Sequence, residues 1–463
     1  MAVSGRFVWL VAAGAVVVVL AGWAGGSAPS GSAAGGSALP GDGAAAAWLA
    51  LSAWLLLAAG IGAIDLSLAG SPRHVAIERT LPERVRLDEQ ATSELVVVNL
   101  GSRPLRAVVR DGWQPSAGVV GPNRTRVRIP PGERRRMSQT LVPTRRGDRR
   151  TERVTIRSWG PLGLWARQTS LVAPGRLRVL PPFRSRVHLP SRLTRLRELD
   201  GRTPLLIRGQ GTEFDSIREY VRGDDVRAID WRATARRSDP ESRGGSKLMV
   251  RTWRPERDRR IVIVVDTSRT AAARIADEPR LDTAFEASLL LAALASHAGD
   301  RVDLVAWDRR VRGRVHGTTG PELLARMVDV MANLDAELIE ADWSRVPAQV
   351  RRLTSRRALV VILTGADSPA NARGLLAMLP QLTSRHTVVV ASVADPDEVL
   401  AARRIDDLDE VYRAAAAERS LLDGARVGAA IRRLGAETVT APPLELPPAL
   451  ADRYLELKAA GRL

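Results

Sequence analysis

Arg260-Ile-Val-Ile-Val-Val265 sets five consecutive apolar residues directly before an acid, Asp266. A strand without a polar residue on either face must be covered on both, a condition met inside a parallel sheet with helices packed above and below it. Strand-length apolar runs recur at Val302–Trp307, Ala358–Leu363 and Thr387–Ala391, and helix-patterned stretches separate them at Leu281–Ala298, Glu322–Leu334 and Ala372–Leu379. This alternation predicts a doubly wound α/β domain over 259–400. Val411–Leu434, Glu437–Thr440 and Pro447–Ala460 predict an extension over 401–463 of helix, strand and helix. Ligands of such sheets sit outside the carboxyl ends of the strands, so the loop Asp266-Thr-Ser268-Arg-Thr270 is the first place to look for a site.

Upstream, the text is of another kind. Glu94–Asn99, Leu105–Arg110, Arg124–Ile129 and Thr151–Arg157 are short, β-branched and in part alternating. Turn signals such as Pro130-Pro-Gly, Arg146-Gly-Asp and Gly160-Pro-Leu-Gly163 separate them. Regularly spaced short strands predict an antiparallel, immunoglobulin-like β-sandwich over 71–181.

Two uncharged apolar stretches precede it, Phe7–Ala24 and Ala44–Ala63, joined by the Gly-, Ser-, Ala- and Pro-rich segment Gly25–Gly43. Crossing a bilayer takes about 20 apolar residues as a helix. The pair therefore predicts a membrane anchor over 1–70, with transmembrane helices at 7–24 and 44–63. The connecting loop carries Asp42 and no basic residue, whereas Arg6 lies on one side and Arg73, Arg79, Arg84 and Arg86 follow the second stretch. By the positive-inside rule the expected protein is a multi-pass cell-membrane protein with its folded domains in the cytoplasm.

Composition narrows the chemistry. With no cysteine, disulfides and thiolate nucleophiles are excluded. The net charge of +18 comes almost wholly from arginine, since Lys247 and Lys458 are the only lysines among 69 basic residues. That usage is the mark of a GC-rich coding bias. More than half of the arginines precede Ile261 and so follow the anchor, where anionic lipid headgroups would attract them. Nucleic acid is not an expected partner, because aromatics are 4% of the chain and no nucleic-acid module is visible. His74, His188, His297, His316 and His386 lack metal-ligand spacing, and no Gly-x-Ser-x-Gly elbow is present. Gly209-Gln-Gly211 is not a phosphate loop. The expected protein is not an enzyme.

The segment 182–258 is a charged linker with a dense motif. Phe214, Ile217, Tyr220 and Val221 are spaced for one face of a short helix, which Gly223-Asp224-Asp225 would end, and Val226, Ile229 and Trp231 supply a second apolar face. Glu213, Arg218, Asp224, Asp225, Arg227, Asp230 and Arg236 are the expected charged binding network, since carboxylates and guanidinium groups pair strongly. With Gly211-Thr-Glu-Phe214, Arg218-Glu-Tyr220, Gly223-Asp-Asp225, Arg227-Ala-Ile-Asp-Trp231 and Ala235-Arg236, the chain resembles the domain of unknown function 58 family of bacterial proteins. Gly160-Pro-Leu-Gly-Leu164 and Tyr454-Leu-Glu-Leu-Lys458 extend the resemblance, while the polar segment Ser238–Ser246 departs from it. The resemblance implies a membrane-anchored scaffold that partners a MoxR-type AAA+ ATPase in the assembly or maturation of other proteins.

Asp266, Ser268 and Thr270 also resemble the Asp-x-Ser-x-Ser/Thr adhesion-site loop of von Willebrand factor type A domains, whose cation is Mg²⁺. One carboxylate and two hydroxyls supply hard oxygen ligands for about half an octahedral shell. The further ligands that the resemblance implies are missing in place: the loop Asp335–Asp342 has no hydroxyl, and Thr364-Gly365-Ala366 stands where an aspartate is expected, with Asp367 displaced. Two other readings remain open at the level of sequence. One is an extracellular, Mg²⁺-dependent adhesion-type receptor; the other is a hydrolase built on the Asp224–Asp225 turn.

Overall fold

The computed structural model describes residues 2–26, 42–202, 213–221, 226–237, 248–254 and 259–463. The chain forms two compact units, Met1–Leu180 and Pro181–Leu463.

The first unit opens with β1 (Ala2–Val3) and two apolar helices, α1 (Gly5–Gly26) and α2 (Asp42–Leu68). The helices pack on one another, and the Trp54 indole Nε1 donates to the Leu10 carbonyl across 3.1 Å. Ala47–Leu68 is long and apolar enough to cross a membrane, and Gly5–Leu20 is a shorter apolar stretch. Nine strands follow: β2 (Val75–Thr80), β3 (Arg84–Arg86), β4 (Ala91–Asn99), β5 (Leu105–Asp111), β6 (Val119–Val120), β7 (Arg124–Ile129), β8 (Arg134–Leu141), β9 (Gly147–Trp159) and β10 (Trp165–Leu180). One sheet runs β1-β10-β9-β5-β7 with β3 beside β10, the other β2-β4-β8-β6. Leu95 and Val97 of the second sheet meet Leu105, Ala107, Val109, Val154 and Ile156 of the first in a common core. The two sheets therefore form a sandwich, each strand offering alternate residues to the interior.

What ties α2 to this sandwich is a carboxylate. Asp65, in the last turn of α2, is 1% exposed and accepts backbone N–H bonds from Leu162 at 2.8 Å, Leu164 at 2.7 Å and Trp165 at 3.4 Å. A negative charge at a helix C-terminus opposes the helix dipole, and these donors offset that cost. The Gly160-Pro-Leu-Gly-Leu164 turn wraps so closely that a Cβ on Gly160 would lie 2.1 Å from the Asp65 carbonyl oxygen. Glycine is required there by contact.

The second unit comprises α3 (Leu189–Arg202), β11 (Glu213–Glu219), α4 (Trp231–Arg237), β12 (Met249–Arg254), β13 (Arg260–Asp266), the short pair β14 (Arg274–Ile275) and β15 (Glu278–Pro279), α5 (Arg280–His297), β16 (Arg301–Trp307), β17 (Val311–Val315), α6 (Pro321–Ala332), α7 (Val346–Leu353), β18 (Leu359–Leu363), α8 (Pro369–Thr383), β19 (Thr387–Val393), α9 (Pro396–Ala401), α10 (Leu408–Arg433), β20 (Glu437–Ala441) and α11 (Leu446–Ala459). Its main sheet runs β17-β16-β13-β18-β19-β20, parallel except for β17. Ile261, Ile263 and Val265 of β13 enter a core with α5 and α11, and Val262 and Val264 enter another with α7, α8 and α10. The apolar run is thus covered on both faces, and β13 lies between β16 and β18. Residues 401–463 put their strand, β20, on the edge of this same sheet.

The chain end is held by a buried ion pair. Lys458 of α11 reaches Asp300, between α5 and β16, with its Nζ 2.9 Å from Oδ2, and the Tyr454 hydroxyl donates to the same oxygen. Asp300 is 6% exposed. The Tyr454-Leu-Glu-Leu-Lys458 motif is therefore a clamp. Removing one member of a buried pair costs about 3–5 kcal/mol. Lys458→Met is expected to release α11, read as faster native-state hydrogen exchange in α11 and β20 while the sandwich strands keep their rates.

Candidate functional site

In chain order the six strands of the main sheet are arranged 3-2-1-4-5-6. The order reverses between β13 and β18, and that reversal is where doubly wound sheets open a crevice. Asp266 ends β13 on one side of it and Thr364 follows β18 on the other.

Asp266, Thr267 and Ser268 are all buried. Asp266 Oδ1 accepts the Ser268 N–H at 2.8 Å, and Oδ2 accepts the hydroxyls of Thr270 at 2.7 Å and Thr364 at 2.6 Å. Ser268 and Thr270 hydroxyl oxygens stand 3.2 Å apart. The three expected residues thus come together, and a fourth, Thr364, joins them. Its signal in the sequence is a hydroxyl directly beyond the neighbouring strand, in the place where the resemblance implies an aspartate. The Asp335–Asp342 loop takes part through its backbone: Glu337 N–H donates to the Thr267 carbonyl and Arg269 N–H to the Ile339 carbonyl, both at 2.8 Å. This pins two loops together and leaves Leu338 78% exposed beside Arg269.

Asp367 is ion-paired with Arg280, the first residue of α5. The Arg280 guanidinium presses on the Thr364–Gly365 turn, where a Cβ on residue 365 would lie 2.6 Å from its Nη1 and 3.3 Å from Thr270 Cβ. A Mg²⁺ here would draw on Asp266, Ser268, Thr270 and Thr364. The donor set does not fit one. Asp266 is the one carboxylate among these four, the displaced Asp367 carboxylate is taken by Arg280, and that guanidinium is itself a cation against the same turn. Among the described residues no group of three or more His, Asp or Glu is placed to hold a metal.

The charged segment upstream folds differently from its spacing. Phe214 and Ile217 lie in β11, which pairs antiparallel with β12, so the expected short helix is a strand. The pattern of apolar residues fits a helical face, but Met249–Arg254 offers a full ladder of partners and the extended form prevails. Asp230 caps α4, accepting the N–H groups of Arg232 and Ala233, each at 3.0 Å, and binds Arg251 Nε at 2.6 Å. The Ala233 amide first, and then Arg251, hold its carboxyl below the usual carboxylate range. Arg251 lies outside the expected network. Arg218 Nη1 donates to the Glu219 carbonyl at 3.1 Å. Glu213 lies in β11, Arg227 in a single 3-10 turn and Arg236 in α4, by backbone alone. Asp224 and Asp225 lie outside the described residues. Of the second apolar face, Ile229 is buried, while Val226 and Trp231 are 67% and 68% exposed.

Residues 216–402 match the family described as "Protein of unknown function DUF58". The DUF58 match takes in both the Asp230 segment and the Asp266 loop. An uncharacterized protein of Mycobacterium tuberculosis (strain ATCC 25618 / H37Rv) is 29% identical over 196 residues, 42% of this chain and 58% of that protein, and one of Mycobacterium bovis matches to the same extent. The chain thus spans 58% of the length of these relatives. Among solved structures, the CARDB domain of the PF1109 protein from Pyrococcus furiosus is similar at 20% identity and a TM-score of 0.18, covering 23% of this chain and 91% of that one. An α-2-macroglobulin fragment from Escherichia coli is similar at 18% identity and a TM-score of 0.21, covering 24% of this chain and 17% of that one.

Two outcomes are expected. A carboxyl whose folded pKa is depressed stabilises the fold above its unfolded value, near 3.9, and loses that contribution as the pH falls through the lower folded value. Protection of α4 amides, corrected for intrinsic exchange, should therefore hold from neutral pH to about pH 4 and fall below it; in Asp230→Asn this pH dependence should vanish. Secondly, Mg²⁺ or EDTA should leave the thermal unfolding of the full chain in detergent unchanged. A Mg²⁺-dependent rise that saturates and is lost in Asp266→Asn would contradict the misfit argued above.

Proposed function

We propose that this is a membrane-anchored binding protein, not an enzyme, whose second unit is a von Willebrand factor type A-like domain that docks a partner at the carboxyl ends of its strands. The observation that carries the reading is the state of Asp266. It is 1% exposed, and both of its oxygens are engaged in holding the loop. A general base or nucleophile needs a free oxygen within reach of its substrate, whereas here the carboxylate fixes a scaffold that presents Arg269 and Leu338 outward. The apolar helix over Ala47–Leu68 supports anchoring, and the charge distribution around the two N-terminal stretches favours a two-helix anchor with both units in the cytoplasm. The partner we propose is an AAA+ ATPase of MoxR type, on the resemblance given by the Asp230 segment.

The extracellular receptor would need a divalent cation, which the Arg280 guanidinium against the same turn disfavours.

Affinity capture of the tagged full chain from detergent-solubilised membranes is expected to recover an AAA+ ATPase with the wild type. Recovery should fall about tenfold or more with Arg269→Glu combined with Leu338→Asp, as for loss of a central contact. A reporter fused after Leu463 should give a cytoplasmic signal. Recovery of the same proteins by wild type and double variant would remove the docking face, and turnover of any substrate by the purified chain, abolished by Asp266→Asn, would remove the non-catalytic reading.

A further inference from the structure

The outward face of the larger sheet in the first unit is an arginine surface. On β5 it carries Arg106 and Arg110, on β7 Arg124, Arg126 and Arg128, and on β9 Arg157. All six are exposed. The register sets like charges directly opposite one another, Arg106 against Arg128 and Arg110 against Arg124, and puts Val108 between Arg126 and Arg157. Directly opposed like charges destabilise a sheet. No ion pair relieves them: among the described residues none of the six is ion-paired, and the acid Asp148 of β9 is taken by Arg150, Arg176 and Arg178. The other sheet provides the contrast. Its outward arginines are interleaved with acids, Arg136 lying 3.5 Å from Glu94.

An uncompensated face of this kind is stabilised by an anion from outside, and the same unit indicates which. Arg106 Nη1 donates to the Pro161 carbonyl at 3.4 Å, in the turn that wraps Asp65 at the end of α2. Arg103 reaches the Ser67 carbonyl in α2, and Arg6 donates to the Leu162 carbonyl at 3.2 Å. The arginine face is therefore continuous with the end of the apolar helix that is long enough to cross a membrane. We infer that this face binds anionic phospholipid headgroups and fixes the sandwich against the bilayer. The inference rests on the anchoring proposed above and adds the surface and the lipid class.

Each arginine brought near an anionic bilayer strengthens the attraction about fivefold, and the attraction is screened by salt. The test uses the full chain in nanodiscs of phosphatidylcholine alone or with phosphatidylglycerol. Hydrogen exchange in β7, an edge strand, is expected to slow at least about fivefold in the anionic discs, with β8 unchanged, and the effect should vanish in high salt. Combined Arg124→Glu, Arg126→Glu and Arg128→Glu should abolish the difference; unaltered β8 exchange shows that the sandwich is intact. Equal β7 exchange in both discs overturns the inference while leaving the anchor standing, as does a duplex RNA that slows β7 in neutral discs as strongly as the anionic lipid does. A chain that fails to enter discs overturns the anchoring and this inference together.

Discussion

The placement of β13 between two parallel neighbours governs the second unit. With five apolar residues buried on alternating faces, the strand can terminate only where the helices stop covering it, and its next residue must then satisfy a polar group at the edge of the core. Asp266 does so by gathering Ser268, Thr270 and Thr364 around its two oxygens. The loops on both sides of the reversal in strand order are locked by one carboxylate. Beside that lock the Arg269 and Leu338 loops are pinned to each other through the Thr267 and Ile339 carbonyls.

The first unit uses the same device at a different junction. Asp65 ends an apolar helix and collects three backbone N–H groups from one turn of the sandwich. A charged acceptor bonded to several amides is stronger and more directional than neutral pairs. It also resists exchange for another residue type, because removing the carboxylate leaves these backbone N–H groups without their acceptor. A flexible tether would leave the sandwich free to turn, whereas this joint fixes its orientation with respect to α2. An arginine face beside the joint is useful only if that orientation is kept.

Much of the architecture is legible in the sequence because it depends on local pattern. A strand buried on both faces must be continuously apolar, so β13 and β18 announce themselves, and α10 and α11 follow from helical periodicity. What escaped depends on pairing across distance. Phe214 and Ile217 have helical spacing, but their fate is decided by pairing with Trp253 and Arg251, far along the chain. Thr364 and Arg280 join the Asp266 loop only when β18 and α5 are placed in space. The arginines of β5 and β7 look like a diffuse excess in the text, and only the register gathers them on one face.

That last point bears on what a positive charge means. A net charge of +18 spread evenly would say little beyond solubility. Here the arginines of β5 and β7 stand opposite one another without an acid, whereas in the other sheet Arg136 lies beside Glu94. An unpaired cluster of this kind is what an external anion would stabilise, and it lies beside the end of α2, where Arg106 touches the turn around Asp65.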